Sequence, residues 1–154
     1  MRRRGGGASE KCCIFTGDMG NECHIRIVDS TFESTDTVIV IQSESDKPVS
    51  FDVRGNVIQG AGGIYVSQQN TVVNRKSAIK DNTITTTREG IHFAYSSNEY
   101  KLLSIEHNCF LAGTYAIRIY DVGKVVITGN NVSLCDTGIV ATGTSNIVAN
   151  NITA

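Results

Sequence analysis

The sequence predicts an all-β parallel solenoid of about six coils, and three observations predict it. First, one short passage is written several times: Ile79-Lys80-Asp81-Asn82-Thr83-Ile84, then Gly90-Ile91-His92-Phe93, returns around Asn108 with Ala116-Ile117 and around Asn130 with Gly138-Ile139. Second, apolar and polar residues alternate within each unit at period two, as in Ile64-Tyr65-Val66 and Ile117-Arg118-Ile119. That is the rhythm of a strand with one face buried, not of a helix. Third, β-branched residues dominate these runs, and Gly, Asn and Asp punctuate them.

Aligning the units gives columns. Ser30, Asn56, Asn82, Asn108, Asn130 and Asn150 form one, at spacings of 26, 26, 26, 22 and 20 residues. Three residues earlier stand Ile27, Val53, Ile79, Ile105, Ile127 and Ile147; two residues later stand Phe32, Ile58, Ile84, Phe110, Val132 and Ile152. A third pair of apolar columns follows: Ile39, Ile64, Ile91, Ile117 and Ile139, then Ile41, Val66, Phe93, Ile119 and Ala141. A repeat this short, holding two or three strands, is one turn of a coil; stacked coils put parallel strands ~4.8 Å apart around a continuous apolar interior. A leucine-rich repeat would need leucine at its fixed positions, and a propeller a longer period and antiparallel strands.

The Asn column has a physical reason. At a bend Asn tolerates the left-handed backbone region. Its carboxamide carries donors and an acceptor, so it can bond the amides stacked above and below it. The glycines ahead of the second isoleucine (Gly63, Gly90 and Gly138, with Ala116 as the exception) fit a corner with positive φ or a close backbone approach.

Three zones are expected: residues 1–10 as a flexible basic, Gly-rich leader, 11–24 as a partial N-terminal coil or cap, and 25–154 as the solenoid. A cap is expected because a terminal repeat must close an apolar end. The arginines of the leader, Arg2 to Arg4, stand alone in a chain of net charge −1. That balance gives no general attraction to nucleic acid. No apolar run has membrane-span length, and no signal-peptide core follows the arginines. One proline, Pro48, and no tryptophan suit regular polar-faced strands. The five cysteines (Cys12, Cys13, Cys23, Cys109 and Cys135) are odd in number and lack C-x-x-C spacing, which argues against a zinc site and favours free or buried thiols, with a disulfide from Cys12 or Cys13 to Cys23 as the alternative.

The pattern I-x-x-N-x-[IFV] followed by G-I-x-[VFI], over most of residues 25–154, resembles the right-handed parallel β-helix, pectate-lyase-like family. The resemblance implies polysaccharide lyases, polygalacturonase-type glycosidases or phage tailspikes and appendages. For spikes it implies a homotrimer on a virion or extracellular surface, although free cysteines leave the cytoplasm open. It specifies the scaffold; activity lives in sites on it.

Chemistry must come from outward columns and from connections of varying length. The third connection is expected to be long at residues 42–50, 67–76 and 94–102, building a wall that carries Gln68, Gln69, Asn70, Tyr95, Ser96, Asn98, Glu99 and Tyr100. Aromatic and amide-rich surfaces suit sugar rings and their hydroxyls. Beside the wall runs the outward column Val40, Tyr65, His92, Arg118 and Val140, with Ser67, Ala94, Tyr120 and Thr142 two residues on. Tyr, His and Arg at adjacent rungs can hold an anionic sugar, and His or Tyr can move a proton; the plain alternative is a cross-strand ladder of large side chains. Asp81 beside His107, and Lys80 between Arg54 and Glu106, read as exposed ion pairs rather than as a general-base dyad.

The acidic residues fall in different columns, so neither a carboxylate pair for glycoside hydrolysis nor a calcium cluster is evident. No phosphate-binding loop, zinc-protease or serine-hydrolase motif occurs. The expected ligand residues are therefore Tyr65, His92, Arg118, Tyr95 and Tyr120, with no metal and no cofactor. The leading function is a surface module that recognises polysaccharide. The alternatives are a lyase or hydrolase acting on an acidic glycan through the same face, and a spacer with no ligand. A further chain, as in a homotrimer, is expected to cover the open end of the coil; no nucleic acid or membrane partner is expected.

Overall fold

The computed structural model describes residues 12–16, 23–43, 49–68, 72–94, 99–111, 113–120, 122–142 and 145–153. Among the described residues eighteen strands follow one another: β1 (Ile14–Thr16), β2 (Cys23–Val28), β3 (Thr31–Glu33), β4 (Thr37–Ser43), β5 (Val49–Arg54), β6 (Val57–Gly60), β7 (Gly62–Gln68), β8 (Val72–Lys80), β9 (Thr83–Thr86), β10 (Glu89–Ala94), β11 (Glu99–Glu106), β12 (Cys109–Leu111), β13 (Tyr115–Ile119), β14 (Gly123–Thr128), β15 (Asn131–Ser133), β16 (Thr137–Ala141), β17 (Ser145–Val148) and β18 (Asn151–Thr153). They form three six-stranded sheets. Sheet I runs β1-β4-β7-β10-β13-β16, sheet II runs β2-β5-β8-β11-β14-β17, and sheet III runs β3-β6-β9-β12-β15-β18. Every third strand therefore stacks on the last, all in parallel, as a parallel β-helix requires. Five turns are complete, with β1 at one end and β17–β18 at the other as part-turns, so the number of full coils is slightly below the expected six.

The register reproduces the sequence alignment. Ile64, Ile91, Ile117 and Ile139 are successive partners in sheet I. Val53, Ile79, Ile105 and Ile127 are partners in sheet II, and Ile58, Ile84, Phe110 and Val132 in sheet III. The inward residues make one core, in which Phe51, Phe93 and Phe110 are the largest fully buried side chains. Phe51 and Phe93 meet with ring centroids 6.2 Å apart, a tilted contact between sheets II and I. At the last rung the same columns are open: Ile147 is 47% and Ile152 53% exposed, where Ile127 and Val132 are buried.

The corner between sheets II and III is held by the ladder. Each Asn Oδ1 accepts from the backbone N–H of the preceding rung, at 3.0–3.1 Å, from Ser30 through Asn130. From Asn56 to Asn130, each Nδ2 also donates to the next rung's Oδ1 at 2.9–3.0 Å. A second Nδ2 bond reaches a carbonyl on the rung before, Ile27, Val53, Ile79 and Ile105 in turn. Asn56, Asn82, Asn108 and Asn130 are buried, so this bonding satisfies corner backbone that water does not reach.

The expected left-handed asparagine is corrected. The left-handed residue is the one before it: Asp29, Gly55, Asp81, His107, Gly129 and Ala149 have φ between 48° and 66°. The Asn lies beyond that turn and is free to point its carboxamide inward. The second glycine column also answers differently. Gly63, Gly90 and Gly138 are not in the left-handed region; the close-approach alternative holds. A Cβ at Gly63 would strike the Gly90 carbonyl oxygen, and one at Gly138 would lie 2.9 Å from Ile152 Cγ2.

The third connection is shorter than expected. β8 begins at Val72 and β11 at Glu99, so much of the anticipated wall is strand. Gln68 is fully buried rather than exposed on that wall. Its Nδ-equivalent amide, Nε2, donates to the Val49 carbonyl at 2.8 Å and Oε1 accepts from the Val49 N–H at 3.2 Å, standing in for a missing strand partner. Tyr95, Gln69, Asn70, Ser96 and Asn98 lie outside the described residues, as do the leader and Pro48. Cys109 is exposed and the other four cysteines are half-buried. No helix among the described residues is long and apolar enough to cross a membrane.

Candidate functional site

Sheet I turns part of each strand away from the core, since residues after its inward isoleucine alternate in and out. The first outward column after that isoleucine runs Val40–Tyr65–His92–Arg118–Val140 in direct register. Four of the five expected ligand residues therefore gather on one face: Tyr65, His92 and Arg118 on successive rungs, and Tyr120 immediately after β13. The fifth, Tyr95, is outside the described residues.

Contacts along this column are specific. The Tyr65 and His92 rings meet edge-to-face with centroids 5.4 Å apart. The Arg118 guanidinium lies 5.1 Å from the Tyr115 ring centroid and 5.3 Å from that of Tyr120, a cation held between two aromatic faces. Its Nε donates to Tyr120 Oη at 3.2 Å, and its Nη1 lies 3.5 Å from Glu89 Oε1. The hydrogen bond to Tyr120 is the main reason that Arg118 holds its proton more tightly than usual. His92 is shifted the other way. Partial burial disfavours its charged form and Arg118 adds to that, while Glu89 opposes it, so the imidazole pKa falls below 6.5 and the neutral ring is the form present at neutral pH.

Sequence reasoning missed the column three residues earlier, in which Thr37 pairs with Gly62, Glu89 with Tyr115 and Tyr115 with Thr137, the alignment setting Gly62 beside Glu89. It follows from the same alignment, two positions before each isoleucine, and supplies both Glu89 and Tyr115. Thr37, Gly62, Gly63, Ile64, Tyr65, Arg88, Glu89 and His92 line a shallow cavity of about 240 Å³. Arg88 Nη2 bonds Asp36 Oδ1 across two coils at 2.7 Å.

The other candidates do not build a site. His107 Nδ1 and Asp81 Oδ1 are 4.0 Å apart on side chains more than 60% exposed, so they are a surface pair and not a dyad. Lys80 Nζ bonds Glu106 Oε2 at 2.7 Å, with Arg54 its partner on the other side of the ladder paired to Asp52. A second overlooked pair is His24 Nδ1 and Ser50 Oγ, 2.8 Å apart; the buried Ser50 hydroxyl also donates to the Cys23 carbonyl, which anchors the first rung rather than freeing a nucleophile.

Residues 15–153 match the family described as Periplasmic copper-binding protein (NosD). The chain belongs to the NosD family. No curated protein and no solved structure matches significantly. Membership narrows the expectation from sequence: the parallel β-helix stands, and the match is to NosD proteins rather than to a pectate-lyase or tailspike type.

The family description names copper, which takes imidazole, thiolate and thioether ligands. Among the described residues no group of three or more His, Cys, Asp or Glu side chains converges as a metal site. The three histidines are dispersed, His24 on sheet II, His92 on sheet I and His107 at an exposed corner, and His24 is bonded to Ser50. The described part of this NosD-family chain does not fit a resident copper ion.

Proposed function

We propose that this NosD-family chain is a non-catalytic recognition module on the extracytoplasmic side of the cell, binding polysaccharide along the outward face of sheet I. The supporting observation is the in-register ladder Tyr65–His92–Arg118, with Arg118 clamped between Tyr115 and Tyr120. Aromatic rings offer flat apolar contact to a sugar ring, and the rigid polar groups beside them meet its hydroxyls. A clamped arginine and a stacked histidine are already ordered before binding, which lowers the entropy lost on association. Periplasmic location follows the family description.

Binding to an oligosaccharide array, followed by calorimetry on the hits, tests the reading. Tyr65→Ala and His92→Ala each weaken binding about tenfold, the loss of one good contact. The absence of binding to every polysaccharide class would refute it. Release of reducing ends or of unsaturated sugar would replace the binding module with a lyase or hydrolase. Copper titration in parallel reports on the family's named ligand: a stoichiometric rise in thermal stability with copper alone would favour metal carriage over glycan recognition.

A further inference from the structure

We infer that the notch over Gly62 is a subsite for one uncharged sugar ring. The inference rests on the polysaccharide reading above and adds the position and chemical class of the ligand.

The notch has a simple cause. In the outward column Thr37–Gly62–Glu89–Tyr115–Thr137, one rung carries no side chain. A gap in a ladder otherwise filled by side chains leaves a depression, floored by Gly62 and Gly63 and bounded by Thr37 on one rung and Glu89 on the next. Tyr65 and His92 stand beside it from their own outward column, and Arg88 borders it from the preceding corner. A Cβ at Gly62 would lie 3.0 Å from Thr37 Oγ1 and 3.7 Å from Arg88 Nη2. A side chain there would press on Thr37 as it entered the notch, whose rim is hydroxyl, guanidinium, carboxylate and imidazole.

Size and charge select the ligand. About 240 Å³ is below the ~300–1,000 Å³ of pockets that enclose a drug-sized molecule, and suits a single ring seated in an open groove. The rim provides acceptors at Glu89 and Thr37 and donors at Arg88 and Thr37, with the Tyr65 ring as the apolar wall. Its charges are matched internally. Arg88 is paired with Asp36 at 2.7 Å, and Arg118 faces Glu89 at 3.5 Å. Burial keeps His92 in its neutral form. A uronate entering here would bring its carboxylate beside Glu89 with both neighbouring guanidinium groups already engaged. A ring bearing only hydroxyls meets no such repulsion and finds partners for each edge.

The test compares neutral hexose oligosaccharides with uronate oligosaccharides of the same length by calorimetry, on the full chain and on Gly62→Val and Thr37→Ala. Gly62 lies outside the left-handed region, so the valine variant carries no positive-φ penalty, although its Cβ presses on Thr37 Oγ1 at 3.0 Å; circular dichroism and the unfolding midpoint check that it folds. The expected result is preference for neutral chains, little dependence on salt, and affinity reduced about tenfold or more by Gly62→Val and several-fold by Thr37→Ala, which removes a rim hydroxyl without filling the space. Stronger binding of uronates, or neutral binding untouched by both variants while His92→Ala abolishes it, overturns the notch and leaves the polysaccharide face standing. No binding to either class removes both readings.

Discussion

Replacing Asn108 by alanine probes the ladder at its most enclosed point. The side chain is 1% exposed. Its Oδ1 accepts from Asn82 N–H at 3.1 Å and from Asn82 Nδ2 at 2.9 Å, and its Nδ2 donates to the Ile79 carbonyl at 2.9 Å and to Asn130 Oδ1 at 3.0 Å. Alanine deletes these four hydrogen bonds and cannot admit their partners to solvent. At a net ~1 kcal/mol for each bond, with a further ~1–3 kcal/mol for a buried donor left unpaired, the loss is about 5–7 kcal/mol. A domain of this size has ~5–15 kcal/mol of stability in all, so the variant is expected near the edge of folding. Urea unfolding followed by far-ultraviolet circular dichroism measures it, with Thr83→Ala, exposed on sheet III one corner away, as the control. If Asn108→Ala cost no more than Thr83→Ala, the ladder would be a by-product of the corner geometry and the argument for its role would fail.

Gly63→Ala should cost ~1–3 kcal/mol, because its methyl strikes the Gly90 carbonyl and approaches Ile84 Cγ2 to 2.9 Å; urea midpoints would show it, and an unchanged midpoint would mean that the two coils can separate freely. His92 has a folded-state pKa below its unfolded value of 6.5. Its neutral form thus contributes stability that is fully present above pH 6.5 and is lost as the pH falls from there through the lower folded-state value. His92→Gln should flatten that part of the stability profile, and in an NMR titration Glu89→Gln should push the His92 midpoint lower still, since Glu89 is the group that raises it. Breaking the Lys80–Glu106 pair with Glu106→Gln should cost only ~0.2–1 kcal/mol and less in high salt; a larger, salt-independent loss would show that the pair is structural.

Most of the fold was legible because repetition turned weak local signals into columns. Six isoleucines or valines three residues before the ladder are unambiguous together, although any one of them is ordinary. The left-handed corner was not legible. It is occupied by Asp, Gly, Asp, His, Gly and Ala, a column with no shared chemistry, while the conserved-looking Asn beside it drew the conformational role. Gln68 was misread for a related reason: a polar residue at the end of a strand reads as surface, and only the three-dimensional course of the chain shows that its amide replaces backbone partners for Val49. On the site, Tyr65, His92 and Arg118 came together because parallel register transfers directly from sequence spacing. Glu89 and Tyr115 lay one outward column away in the same alignment and were passed over, since each is unremarkable until Arg118 is seen between them.

The ladder also has a sense. From Asn56 to Asn130 each Nδ2 gives one proton to the following coil's Oδ1 and another to a carbonyl of the coil before, while each Oδ1 takes protons only from the coil before. Damage at one rung is therefore lopsided. Without the Asn108 side chain, Asn82 loses the acceptor for both its backbone and side-chain protons toward that rung, whereas Asn130 Oδ1 keeps the backbone N–H of residue 108 at 3.0 Å. The coil on the amino-terminal side should loosen first, and amide exchange should accelerate around Asn82 before it does around Asn130. A stack that looks periodic in outline thus responds to injury as a row of dominoes does, in one direction.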